Sequence, residues 1–87
     1  MELEKEITPV EFIDASMVKN KNQLTLLEVD IKFLTIKRRR LMLTQNPLEE
    51  QTISQQIRDK EAAKAAVEES IRILTELREE YAKSVLA

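Results

Sequence analysis

Thr44-Gln45-Asn46-Pro47-Leu48-Glu49 is the stretch that decides the fold of this chain. Proline has no backbone N–H and disfavours helical geometry at the residue before it, so a helix arriving from the N-terminal side must end near Thr44 or Gln45. The same residues also write a helix start, with Asn46 as the cap, Pro47 at the first helical position and Glu49 three residues after the cap. One helix therefore stops and another begins with only a turn at 45–47 between them. A connection this short makes the two helices antiparallel neighbours.

The first helix opens in the same way. In Thr8-Pro9-Val10-Glu11, Thr8 can accept from the backbone N–H of Glu11, Pro9 fits the first helical position, and Glu11 can reach back to Thr8, which is a capping box. Ile7 and Phe12 stand at the two positions of a hydrophobic staple around it. Helices over about 9–45 and about 47–85 follow, both rods of roughly 55 Å at 1.5 Å rise per residue. Residues 1–7 are expected to form a flexible N-terminus, and 1–87 to be a single helical-hairpin domain. The polar stretch Lys19-Asn20-Lys21-Asn22-Gln23 is where the first helix is most easily broken.

Composition agrees with long helices. The 87 residues include no Gly and two Pro, so tight β-turns and strained loops lack the residues they most often need. Glu, Lys, Arg, Leu, Ile, Ala and Gln dominate, mostly strong helix formers. With neither Cys nor His, disulfides are excluded and a structural zinc site lacks its usual ligands, so packing alone must hold the fold. A net charge of -2 gives no global field toward DNA or an anionic membrane. No apolar run approaches the roughly 20 residues of a membrane span, and Met1-Glu2-Leu3-Glu4 does not read as a signal peptide. The expected location is cytoplasmic, without a membrane partner.

Along the first helix, Val10, Ile13, Met17, Asn20, Leu24, Leu27, Ile31, Leu34, Arg38, Leu41 and Gln45 recur at alternating spacings of three and four. This is a coiled-coil seam with polar positions at Asn20, Arg38 and Gln45, of which Asn20 and Arg38 are expected to set register or partner choice. It stays in phase across the doubtful polar stretch, which favours a continuous helix. A second series, Leu26, Val29, Phe33, Ile36, Arg40 and Leu43, lies on roughly the opposite side at about 100° per residue. One partner helix cannot cover both sides.

The second helix has one main stripe: Ile53, Ile57, Ala63, Val67, Ile71, Leu74, Leu77, Tyr81 and Val85. Its other side carries Arg58, Glu69, Arg72, Glu76, Glu80 and Lys83, with Ile73 the one large apolar exception, so it reads as an outer helix. The run Ala62-Ala63-Lys64-Ala65-Ala66 would let another backbone approach closely, opposite the bulky Leu27 to Ile31 segment. Leu26, Val29, Phe33, Ile36 and Leu43 remain as the expected oligomer or partner interface. A symmetric dimer joining two first helices through this face is the simplest way to bury it.

Few residues invite a chemical role. Lys37-Arg38-Arg39-Arg40 is the one basic run, and Lys37, Arg39 and Arg40 are its candidate phosphate contacts. On a helix these side chains diverge, however, and Arg38 and Arg40 fall on the two seams, where their stems can cover apolar surface. Glu28, Asp30 and Asp59 read as solvated surface charges. No nucleophile stands beside a base, and no phosphate-binding glycine loop can form without Gly. No catalytic residue, metal ligand or cofactor is expected.

Leu27-Glu28-Val29-Asp30-Ile31 through Lys37-Arg38-Arg39 resembles the first long helix of the all-helical chorismate mutases, which cluster Arg and Lys inside a helical dimer. The resemblance spans less than a quarter of the chain, and that family's further helix and later Arg and Glu or Gln residues have no counterpart here. It implies the enzymatic alternative. As an architecture, a dimer of helical hairpins is similar to the small plasmid regulator Rop, though no motif connects them.

The reading is thus an all-α protein: an antiparallel hairpin of two long helices, associating into a dimeric four-helix bundle. Its expected function is non-catalytic protein–protein interaction, as an adaptor, assembly factor, small chaperone or inhibitor, with itself and an unidentified protein as partners. The second reading is a small nucleic-acid-associated regulator using the basic cluster. A chorismate-mutase-like helical enzyme is the third.

Overall fold

The computed structural model describes residues 8–86, which form two helices, α1 (Pro9–Thr44) and α2 (Pro47–Leu86), packed as a hairpin. The flexible segment expected at 1–7 and the staple residue Ile7 lie outside the described residues. So does the side chain of Val85 on the second stripe.

At the start of α1 the Thr8 side chain accepts from the Glu11 backbone N–H at 3.1 Å. The Glu11 carboxylate accepts a hydrogen bond from the Thr8 hydroxyl, also at 3.1 Å, in place of the one from the backbone N–H that a full capping box would use. The helix then runs unbroken through Lys19 to Gln23. Asn20 donates its side-chain N–H to the Ser16 carbonyl at 2.7 Å, so its amide is satisfied within its own helix and does not interrupt the turn.

The reversal differs from the simple seam count in one respect. Gln45 was expected to continue the first seam, but the chain leaves the helix there. Gln45 adopts the left-handed conformation (φ 56°, ψ 50°), its backbone N–H donates to the Leu41 carbonyl, and its side chain is exposed. Helices commonly end this way, usually at Gly, because a Cβ makes the conformation cost about 1–2 kcal/mol. With no Gly in the chain, Gln45 carries that cost, and proline at 47 leaves no helical alternative for the residue before it. Asn46 then caps α2, its side-chain carbonyl lying 3.4 Å from the Glu49 N–H.

The first seam faces α2 as expected. Ile13 and Leu27 are buried, and Val10, Met17, Asn20, Leu24, Ile31, Leu34, Arg38 and Leu41 are half-buried. From α2, Ile53, Ile57 and Val67 are buried, while Ala63, Ile71, Leu74 and Tyr81 are half-buried. Leu77 is a correction, since it remains 45% exposed. The three-four spacing from Leu74 leads to Arg78 and then Tyr81, so Leu77 stands one residue off the line.

Register is held by polar contacts that flank the seam. Arg78 Nη1 donates to Asp14 Oδ1 at 2.6 Å, Lys60 Nζ to Asp30 Oδ2 at 3.2 Å, and Lys64 Nζ lies 3.6 Å from Glu28 Oε2. The midpoints of these three pairs all fall at residue 45 or 46, which is the turn. Glu28 and Asp30, read from the sequence as solvated charges, therefore tie the helices together. The pairs are about half exposed, so each stabilises the fold by at most roughly 1 kcal/mol; their effect is mainly on alignment.

Candidate interaction face

α1 is apolar on two sides, and α2 covers only one. At about 100° per residue, Phe33 points nearly opposite the Ile13, Leu27 and Ile31 line that meets α2. Leu26, Val29, Phe33, Ile36 and Leu43 are accordingly exposed by 54 to 86%. Each is a large side chain whose complete burial is worth about 1.5–3 kcal/mol. Because its two apolar faces oppose one another, α1 has almost no net one-sidedness, whereas α2 is clearly amphipathic.

The exposed face extends beyond Leu26, Val29, Phe33, Ile36 and Leu43. Phe12 and Val18 are about 60% exposed on the same side. Counting back from Leu26 in steps of four and three leads through Asn22, Lys19 and Ala15 to Phe12. That signal was present in the sequence but is masked by two consecutive polar positions. At the other end, Met42 and Leu48 are also exposed beside the turn. Leu48 lies off the α2 stripe, in the first turn of its helix, so periodicity gave no sign of it.

Two open grooves flank Phe33. One is lined by Asp30, Phe33, Leu34, Gln56, Asp59 and Lys60 and spans both helices. Its two carboxylates are engaged locally, Asp30 by Lys60 and Asp59 by the Gln55 side chain at 2.8 Å. The other groove is lined by Phe33, Ile36, Lys37 and Arg40. An acidic shoulder and a basic shoulder thus stand on either side of one aromatic ring.

The basic run does not converge on a point. Arg38 is half-buried on the seam with α2, whereas Lys37, Arg39 and Arg40 are exposed and point in different directions. Among the described residues none of the four makes an ion pair within the chain. Arg39 is farthest from both seams. Changing Arg39→Glu is expected to alter folding stability by no more than about 0.5 kcal/mol in a denaturant titration, as surface substitutions usually do.

Elsewhere, Arg72 bridges Glu69 and Glu76 on the outer face of α2. The hydrogen bond from Arg72 holds the Glu69 carboxyl below its ordinary pKa, and that aid to the helix is present at neutral pH and fades as acid protonates the carboxylate. Among the described residues no group of three or more His, Cys, Asp or Glu side chains could hold a metal ion, and no helix is long and apolar enough to cross a membrane. None of the known protein families, characterised proteins or solved structures compared with this chain matches it.

Proposed function

We propose that this chain is a non-catalytic protein–protein interaction module that works as a homodimer, two hairpins forming a four-helix bundle with the α1 helices central and the α2 helices outside. The observation that carries this reading is the exposure of Leu26, Val29, Phe33, Ile36 and Leu43 on the side of α1 away from α2. An apolar stripe about 25 Å long, from Leu26 to Leu43 at 1.5 Å per residue, is costly to leave in water. The hairpin also has little else to stabilise it. Among the described residues its core is five side chains, Ile13, Leu27, Ile53, Ile57 and Val67, and each retains 5 to 8% exposure.

Thermal melting at different protein concentrations tests the reading. If folding and pairing are linked, the midpoint rises as concentration increases from about 1 to 100 μM, by mass action. A midpoint independent of concentration, in a protein that is monomeric throughout, would overturn it. Exposure of Lys37, Arg39 and Arg40, without ion partners among the described residues, favours nucleic-acid association as the second reading. Phosphate binding weakens steeply as salt rises, and loss of RNA or DNA binding at physiological salt in the Arg39→Glu variant would move that reading ahead.

A further inference from the structure

We infer that the second copy docks antiparallel along α1, about a two-fold axis near Leu34, so that the acidic shoulder of one chain meets the basic shoulder of the other. This rests on the homodimer reading and adds the geometry of the partner. Charge complementarity along a face that is otherwise apolar favours this orientation.

Exposed positions on this face follow the order Leu26, Val29, Phe33, Ile36, Arg40 and Leu43. Reversing that order about its centre pairs Leu26 with Leu43 of the partner subunit, Val29 with the partner's Arg40, and Phe33 with the partner's Ile36. The flanking charges obey the same symmetry. Asp30 and Lys37 lie on one flank of the face, and the midpoint between them falls within about a residue of the midpoint between Leu26 and Leu43. The axis that matches the apolar side chains therefore brings the partner's Lys37, twice per dimer, to the groove of Asp30 and Asp59, two carboxylates that share the single cation Lys60, held by Asp30 at 3.2 Å. The partner's Arg40 can lay its stem over Val29 and direct its guanidinium toward Asp30.

A parallel, in-register pair fails on the same residues. It would place Arg40 against its own copy in the middle of the apolar stripe and Lys32 against the partner's Lys37 on both flanks, all like-charge contacts. The antiparallel arrangement carries one kind of such contact, Lys32 near the partner's Arg39, also made twice per dimer, on the flank farther from α2. There both side chains can extend into solvent. Parallel pairing thus gains no compensating attraction, whereas antiparallel pairing has the Asp30 contacts.

The chain contains no Cys, so single cysteines report orientation directly. Leu26→Cys and Leu43→Cys are purified separately, one of them isotope-labelled, then mixed and oxidised in a glutathione buffer. A disulfide needs Cα atoms within about 7 Å, whereas positions 26 and 43 are about 25 Å apart along a helix. Antiparallel docking predicts that the mixed disulfide exceeds either like-with-like disulfide at least tenfold by mass spectrometry. Because cysteine could weaken the apolar contact, Asp30→Cys mixed with Lys37→Cys repeats the test at the rim, with the same mixed product expected. Predominance of like-with-like disulfides in a protein of dimeric mass would overturn the orientation and leave the dimer standing. A monomeric wild type, together with no disulfide from either mixture of cysteine variants, would overturn the dimer itself.

Discussion

Replacing Phe33 and Ile36 together by glutamine is expected to separate the dimer while leaving the contacts between α1 and α2 in place. Both side chains are more than half exposed in the single hairpin, and neither belongs to its core. Glutamine is a good helix former, so the backbone of α1 is not the target of the change. In a symmetric interface the substitution removes four large apolar side chains, each worth about 1.5–3 kcal/mol if fully buried. At 1.4 kcal/mol per factor of ten, the dimer should weaken by at least about a thousandfold, even after allowing for incomplete burial. Sedimentation velocity measures this directly. Since a lone hairpin has little core to spare, helicity and melting temperature should fall with the loss of pairing. A double variant that retains the mass and melting temperature of the wild type would place the pairing on another surface, most simply α2.

The second large effect is expected at Ile57→Ala. Ile57 is the least exposed residue of the described chain, at 5%, and sits in a core of only five side chains. Removing three carbons from such a site costs about 2–5 kcal/mol, combining lost transfer energy with the cavity left behind. An 87-residue protein has roughly 4–13 kcal/mol of stability in all. A large part of it should therefore disappear, with a fall in melting temperature on the order of 15 °C. Ile73→Ala is the matched control. Ile73 is 44% exposed on α2, and the same truncation there should cost less than about 1 kcal/mol. Equal effects at the two positions, measured by urea unfolding, would mean that Ile73 is covered in solution and that α2 is not an outer helix.

Much of the hairpin was legible because its signals are local. Thr8-Pro9 and Asn46-Pro47 mark helix starts through hydrogen bonds made within four residues, and both caps are present. The continuity of α1 through Lys19 to Gln23 was legible from phase, since Ile13, Met17, Leu24 and Leu27 keep one line across the polar stretch. Where the reading missed, a competing constraint had decided the matter. Gln45 keeps the seam spacing, but the proline two residues later requires the chain to leave the helix, and that outranks periodicity. Leu77 is apolar, but strict spacing assigns the place near α1 to Arg78, whose partner is Asp14.

The pairing of Asp30 with Lys60 and of Glu28 with Lys64 was out of reach for a different reason. These partners are separated by 30 and 36 residues, and they meet only once the helix register is known to within a residue. Exposure of the second face was legible, because two apolar lines on opposite sides of one helix cannot both meet a single neighbour. The cover proposed for that face is a second molecule. Two local features nevertheless constrain it: the phase of the apolar line, and the acidic and basic shoulders on either side of Phe33.

The central claim is that the exposed face of α1 is an interface between two copies of this chain. Light scattering on the purified wild-type protein, coupled to size-exclusion chromatography at micromolar concentration, tests it most directly. The account predicts a mass twice the 10.1 kDa of a single chain. A stable, fully helical protein with the mass of one chain would contradict it.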